Sequence, residues 1–132
     1  MILVDTNVLF DIVTDDAAWF EWSRKRLDAA ALAGPIAIND VIFAELSVRH
    51  ASLEAMEYMV AEMGLEILAI SKPALFLAGK AFARYRRAGG MRTSVLPDFF
   101  IGAQASVLDV PLLTRDARRY RTYFPQLQVI AP

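Results

Sequence analysis

The chain has 132 residues, 56% hydrophobic and 22% charged, with no cysteine, one histidine and a net charge of -1. That length suits one domain with a core of its own, expected to run over residues 1–132. High apolar content with near-zero net charge excludes disorder. The lack of cysteine excludes a disulfide scaffold, a thiolate zinc site and a cysteine nucleophile. The segment Met1–Asp5 has no basic region and reaches a carboxylate after four residues, unlike a signal peptide. The longest stretches free of Asp, Glu, Lys and Arg are 11 residues, as in Ala29–Asn39, against the ~20 needed to span a bilayer. The expectation is a soluble, cytoplasmic protein with no membrane association.

Taken in order, Ile2–Val4 reads as a short buried strand, an apolar run ending at the polar turn Asp5-Thr6-Asn7. A helical stretch follows, then another from Ala17 to Ala33, closed by Gly34-Pro35. Ile36–Ile38 is a second strand, and Asn39 or Asp40 caps a helix running to Val48. Ser52 with Ala55, Met56, Met59, Val60 and Met63 marks an amphipathic helix stopped by Gly64. Leu65–Ile70 is a third strand, and Pro73 opens a helix ending at Gly89-Gly90. After an irregular loop, Met91–Leu96, Asp98 opens an almost wholly apolar helix, Phe99–Leu108. Val110–Leu113 is a fourth strand, Thr114-Arg115-Asp116 its turn, Arg118–Tyr123 a short helix, and Gln128–Ile130 a fifth strand. Strands alternating with helices imply βαβ units, hence a three-layer α/β/α domain around a mainly parallel five-stranded sheet.

The near-neutral total hides a division. Residues 1–66 carry 4 Lys/Arg and 12 Asp/Glu, whereas residues 67–132 carry 10 Lys/Arg and 3 Asp/Glu. Arginines dominate the basic half, in one cluster of Arg84, Arg86, Arg87 and Arg92 and a second of Arg115, Arg118, Arg119 and Arg121. Such clusters suit either solvated helix faces or a polyanion, and the planar guanidinium matches phosphate oxygens better than a lysine does.

In an open parallel sheet, ligands bind beyond the carboxyl ends of the strands. Asp5 follows strand 1, Asp116 follows strand 4, Glu45 lies in the second turn of the helix after strand 2, and Asp98 begins the helix leading to strand 4. Each has an ordinary explanation. Asp5, Asp98 and Asp116 suit helix N-caps, worth ~0.5–2 kcal/mol, and Glu45 can pair with Arg49 one turn on. Taken jointly, four acids aimed at one rim would repel each other, a conflict that a divalent cation removes. All the donors are hard carboxylate oxygens, and His50 reads as a surface or packing histidine, so Mg²⁺ or Mn²⁺ suits the set better than zinc or copper. Arginines that hold a polyphosphate backbone, and acids that hold the ion that cuts it, would make one machine.

Other sites fail on their residues. A haloacid-type phosphatase needs Asp-x-Asp where Asp5-Thr6-Asn7 stands, and a receiver domain needs a phosphoacceptor Asp where Ser71-Lys72 stands. A Walker loop and a Gly-x-Gly-x-x-Gly fingerprint are both absent.

Four blocks, Val4–Asn7, Phe43-Ala44-Glu45-Leu46, Leu96–Ala103 and Leu113–Asp116, resemble those of a PIN domain, more narrowly a VapC-type toxin of type II toxin–antitoxin systems, over essentially the whole chain. The resemblance implies a Mg²⁺- or Mn²⁺-dependent endoribonuclease acting on structured RNA such as tRNA or rRNA. Asp5, Glu45, Asp98 and Asp116 match the family's acidic quartet, with Asp5 and Asp98 as direct ligands and Glu45 and Asp116 completing the sphere and positioning water. Thr6, Asn7 and Thr114 match positions that hydrogen-bond the acids. Arg84, Arg86, Arg87, Arg92, Arg115 and Arg118 are candidate RNA contacts. A homodimer and a cognate VapB-like antitoxin are implied, with Trp19, Phe20 and Trp22 either antitoxin anchors or core and dimer-contact aromatics. The chain carries Gln104 where close relatives often have His. Two other readings stay open, a PIN-domain ribonuclease of RNA processing or decay and a non-catalytic RNA-binding module.

Overall fold

A computed structural model describes all residues, Met1–Pro132. Five strands and seven helices alternate along it: β1 (Ile2–Val4), α1 (Thr6–Val13), α2 (Phe20–Ala33), β2 (Ile36–Asn39), α3 (Asp40–Ser47), α4 (Leu53–Glu62), β3 (Leu65–Leu68), α5 (Lys72–Arg87), α6 (Leu96–Leu108), β4 (Leu112–Leu113), α7 (Arg118–Tyr123) and β5 (Val129–Ile130). The strands form one sheet in the order β3-β2-β1-β4-β5. Every pairing is parallel, with Leu3 facing Ala37 on one side and Leu112 on the other.

That order has a consequence. The chain runs outward from β1 through β2 to β3, then returns to start β4 on the opposite side of β1. The connections reverse between β1 and β4, and a parallel sheet opens a crevice at such a point, at its carboxyl edge. Residues just beyond Val4 and Leu113 therefore face that crevice.

The strands are legible because they are buried on both sides, so apolar residues run on without alternation. All of β1 and β2 is buried, down to the polar Asn39. Edge strand β3 departs from this, with Glu66 and Ile67 exposed, and pairing ends at Leu68 instead of Ile70. Strand β4 is only two residues, since Val110 N turns back to the carbonyl of Ala105 at the end of α6.

Two helix starts differ from the sequence expectation. Helix α2 begins at Phe20, because Asp16 Oδ1 accepts from the amides of Ala18 and Trp19 and holds residues 16–19 as a turn. Helix α6 begins at Leu96, with Pro97 in its first turn, where the missing amide costs nothing. Asp98 thus sits inside the first turn and caps nothing. Its own amide donates to Val95 O.

Helix α6 is the most buried, with Phe99 and Ile101–Ala105 inaccessible. Small residues Ala74, Ala78 and Ala81 let α5 lie against it. Gly102 serves a different neighbour, since a methyl group there would stand 2.5 Å from the Phe124 ring. Phe124 is 4% exposed and packs on Phe99, so it cannot swing clear. Gly102→Ala should lower stability by about 1–3 kcal/mol through overpacking, read as a lower urea midpoint with unchanged far-UV circular dichroism.

Candidate active site

Asp5 is the first residue past β1 and the N-cap of α1. It is 5% exposed, so its charge survives only by gathering donors. Its Oδ1 accepts from Thr6 N at 2.7 Å, and Oδ2 accepts from the Thr114 hydroxyl at 2.8 Å and the Tyr120 hydroxyl at 2.9 Å. Asn7 Nδ2 lies 3.2 Å from Thr114 Oγ1 and 3.5 Å from Asp5 Oδ2, while Asn7 Oδ1 accepts from Arg115 N. The turn after β4 is thereby fastened to the turn after β1 across the crevice. The Thr6 hydroxyl, one position on, donates to Glu45 Oε1 at 2.7 Å.

Glu45 reaches the same place from the second turn of α3, whose start Asn39 caps by accepting from Ile42 N. Asp98 comes from the first turn of α6, and Asp116, exposed, from the loop between β4 and α7. Asp5, Thr6, Asn7, Phe10, Glu45, Asp98, Asp116 and Tyr120 line one cleft. The four acids named from sequence, 111 residues apart at the extremes, share one wall system. A separate, mostly apolar cavity lies between α2 and the amino edge of the sheet, among Ile2, Ala29, Ala33, Pro35 and Pro111, and holds no acid.

Crowding shows in the protonation equilibria. Burial, then the charge of Asp98, pushes Asp5 from its usual 3.8 to about 6, against the bonds from Thr114, Tyr120 and Thr6. Burial also raises Glu45, opposed by the Thr6 bond and assisted by Asp98. Asp98 is raised by burial and, more weakly, by Asp116, while its ion pair with Arg119 pulls it back. Tyr120 is pushed well above its usual 10 by burial and by the charges of Asp5 and Asp98. It is therefore a phenol at any working pH and acts as a donor.

These donors fit a hard dication in chemistry: several carboxylate oxygens, mutually destabilised, in a cleft open to water. As the side chains stand, no three acidic groups lie close enough to grip a single ion. Asp98 is already engaged by the Arg119 guanidinium.

The sequence reading did not single out Tyr120 or Arg119 as site residues, nor Phe10. Tyr120 lies in the short helix α7, and a tyrosine among arginines carries no sequence signal that it will be buried against Asp5. Three named arginines make bonds within the protein, though only Arg115 is half-buried. Arg115 Nε donates to Asp11 at 2.7 Å, with Asp11 2% exposed and also receiving the Ser23 hydroxyl at 2.5 Å. Arg84 Nη2 donates to Tyr123 O, and the amide of Arg92 to the Tyr85 hydroxyl. Arg84, Arg86, Arg87, Arg92 and Arg118 are exposed. Trp19 and Trp22 meet edge to face at 6.0 Å, half-buried, with Arg115 over the first ring and Arg26 over the second. Phe20, also half-buried, is the first residue of α2. His50 Nδ1 bonds Leu46 O, and Gln104 is buried with Nε2 on Ala69 O.

The PIN domain family matches residues 2–125. The chain belongs to the PIN domain family. Among solved structures, this PIN domain is similar to VapBC2 from Rickettsia felis bound to a promoter DNA fragment, with TM-score 0.76 and 20% identity over 100% of this chain and 99% of that one. It is also similar to DNA-bound VapBC from Salmonella typhimurium (TM-score 0.71, 20% identity, 98% and 96% covered). VapBC-1 from nontypeable Haemophilus influenzae gives TM-score 0.71 at 16% identity, covering 99% and 98%. At such identities the likeness is one of fold. No curated protein sequence matches the chain.

The raised carboxyls have a thermodynamic consequence. Between the ordinary 3.8 and the raised value near 6, the folded PIN domain binds more protons at Asp5 than the unfolded chain does. Stability therefore falls as pH rises through that window, by about 3 kcal/mol at ~1.4 kcal/mol per tenfold. In buffer with chelator, the thermal midpoint should drop between pH 4 and pH 6, and Asp5→Asn should flatten that slope. A midpoint for Asp5→Asn that falls as steeply as wild type would show that Asp5 is not the source.

Proposed function

We propose that this PIN domain is an endoribonuclease dependent on Mg²⁺ or Mn²⁺ and serves as the toxin of a VapBC-type toxin–antitoxin pair. The observation that carries the reading is the meeting of Asp5, Glu45, Asp98 and Asp116 in one cleft at the carboxyl edge of the sheet. Asp5 and Asp98 would hold the ion, with Glu45 and Asp116 completing its surroundings. A bound Mg²⁺ or Mn²⁺ would supply charge that polarises a phosphoryl oxygen, acidifies water and steadies the leaving oxygen.

The protein's own groups do the rest. Thr114, Tyr120 and Thr6 N fix the Asp5 carboxylate so that it cannot rotate. Glu45 spends Oε1 on Thr6 and keeps Oε2 without a protein partner. Its raised proton affinity suits it to accept a proton from the attacking water. Exposed Arg86, Arg87 and Arg118 supply positive charge for the RNA backbone.

The toxin role is supported by the family and by solved relatives described as VapBC complexes. On this reading the partner is a VapB-like antitoxin, the substrate a structured RNA such as tRNA or rRNA, the assembly a homodimer and the compartment the cytoplasm. No helix is long and apolar enough to cross a membrane.

The test is sequencing of RNA 5′ ends after induced expression, beside cleavage of the same RNA by purified protein. Asp98→Asn should cut ~100-fold more slowly or worse, since it removes a charge from the ion's surroundings. It should also relieve growth inhibition, and chelator should silence the wild type until Mg²⁺ or Mn²⁺ is restored. Undiminished cleavage by purified Asp98→Asn protein, free of contaminating nuclease, defeats the proposal.

A further inference from the structure

Of the four acids in the cleft, only Asp98 has a cationic partner in the protein. Arg119 Nη1 donates to Asp98 Oδ2, with both side chains about a quarter to a third exposed, 26% and 31%. The same arginine belongs to a second cleft, lined by Tyr85, Asp116, Arg118, Thr122 and Tyr123. Asp116 lines both clefts. Arg119 thus stands at their junction, one wall acidic and the other carrying Arg118 and two aromatic rings.

A dication ligated by Asp98 competes with the guanidinium for the same carboxylate. Released from Asp98, Arg119 has one destination that its position already offers, the adjoining cleft. A planar fork of donors beside Arg118 suits phosphate oxygens there. We propose that Arg119 is a displaceable counterion, yielding Asp98 to the dication and turning into the neighbouring cleft to hold an RNA phosphate next to the one that is cut. The proposal rests on the ribonuclease reading above for its substrate. Linkage then makes the coupling reciprocal: the ion favours RNA binding and RNA favours the ion, through one side chain that cannot serve both acid and phosphate. Arg119 acts on Asp98 and on the RNA backbone, so its role is positioning.

Binding measurements separate this from a structural role. Mn²⁺ alone is titrated calorimetrically into wild type, Arg119→Ala, Arg119→Lys and Arg121→Ala. A fluorescent RNA hairpin is then titrated by anisotropy with Mn²⁺ present, in the cold and with its integrity checked by gel. Arg119→Ala should bind Mn²⁺ about 5-fold tighter or more, and bind the hairpin about 5-fold more weakly or worse. These opposite signs are not what a merely loosened fold produces. Arg119→Lys, which keeps the charge, should return Mn²⁺ affinity toward wild type. Arg121→Ala, an exposed neighbour lining neither cleft, should leave Mn²⁺ affinity unchanged. Equal or weaker Mn²⁺ binding by Arg119→Ala overturns the counterion role, and equal hairpin binding overturns the phosphate role. Wild-type protein that binds Mn²⁺ and cleaves no RNA defeats the ribonuclease reading, while the Mn²⁺ titrations still decide whether Arg119 competes for Asp98. Wild-type protein that binds no Mn²⁺ overturns both.

Discussion

A carboxylate at the end of the central strand, shut away from water, is the constraint on which the rest of the site depends. Ionised Asp5 is costly where it stands, and its neighbour Asp98 adds to the cost. Three donors answer it from three parts of the chain: a backbone amide at the start of α1, a hydroxyl from the end of β4 and a phenol from α7. Removing any of them would leave a buried charge short of partners, so the turns after β1 and β4 and the seventh helix are bound to one another by Asp5's need. They offset only part of the burial, and the carboxyl still sits near 6. The strain that remains is electrostatic, which is the kind a cation relieves.

The arginines show how one composition serves two purposes. The basic half of the chain presents eight arginines in two clusters, and spacing makes all of them equally suitable for a nucleic-acid backbone. Folding sorts them by what lies opposite. Arg115 meets a buried aspartate and the Trp19 face, tying the β4 turn to α1 and α2. Arg84 crosses to the last carbonyl of α7, and Arg119 meets Asp98. Arg86, Arg87, Arg92, Arg118 and Arg121 remain in water. Asp11 lies among apolar residues of α1 and gave no sequence sign that it would be the acid to claim Arg115, because the claim depends on a fold-wide approach of residues 104 positions apart.

The same distinction marks what was readable from sequence. The strands were legible because continuous apolar runs between turn residues carry their own period, and the acids were legible because βαβ order says which end of each strand becomes the rim. Asp5 and Asp116 needed nothing more than that rule. The start of α6 was not legible: Leu96-Pro97 reads as loop, yet proline in a first turn is compatible with helix, and the amide of Leu96 finds Thr93 O. The shift of three residues turns Asp98 from a cap into a side chain that projects from the first turn. Tyr120 was missed for another reason, since a tyrosine among arginines carries no mark of burial until Asp5 is known to lack a donor.

Rigidity is unevenly distributed around the cleft, and the chemistry proposed for it needs that unevenness. Asp5 is locked on both oxygens, and Thr6 holds Glu45 by one, so this wall sits on β1 and α3 over a fully buried layer of Leu3, Val4, Ile38 and Ile42. On the opposite wall, Asp98 is held by an arginine that is itself partly solvated, and Asp116 is exposed on a loop. A dication with strict octahedral demands cannot wait for four rigid acids to be placed for it by chance. On the proposed reading, one fixed wall would define where an ion sits, and a yielding wall would let Asp98 and Asp116 close on it, with Arg119 giving way.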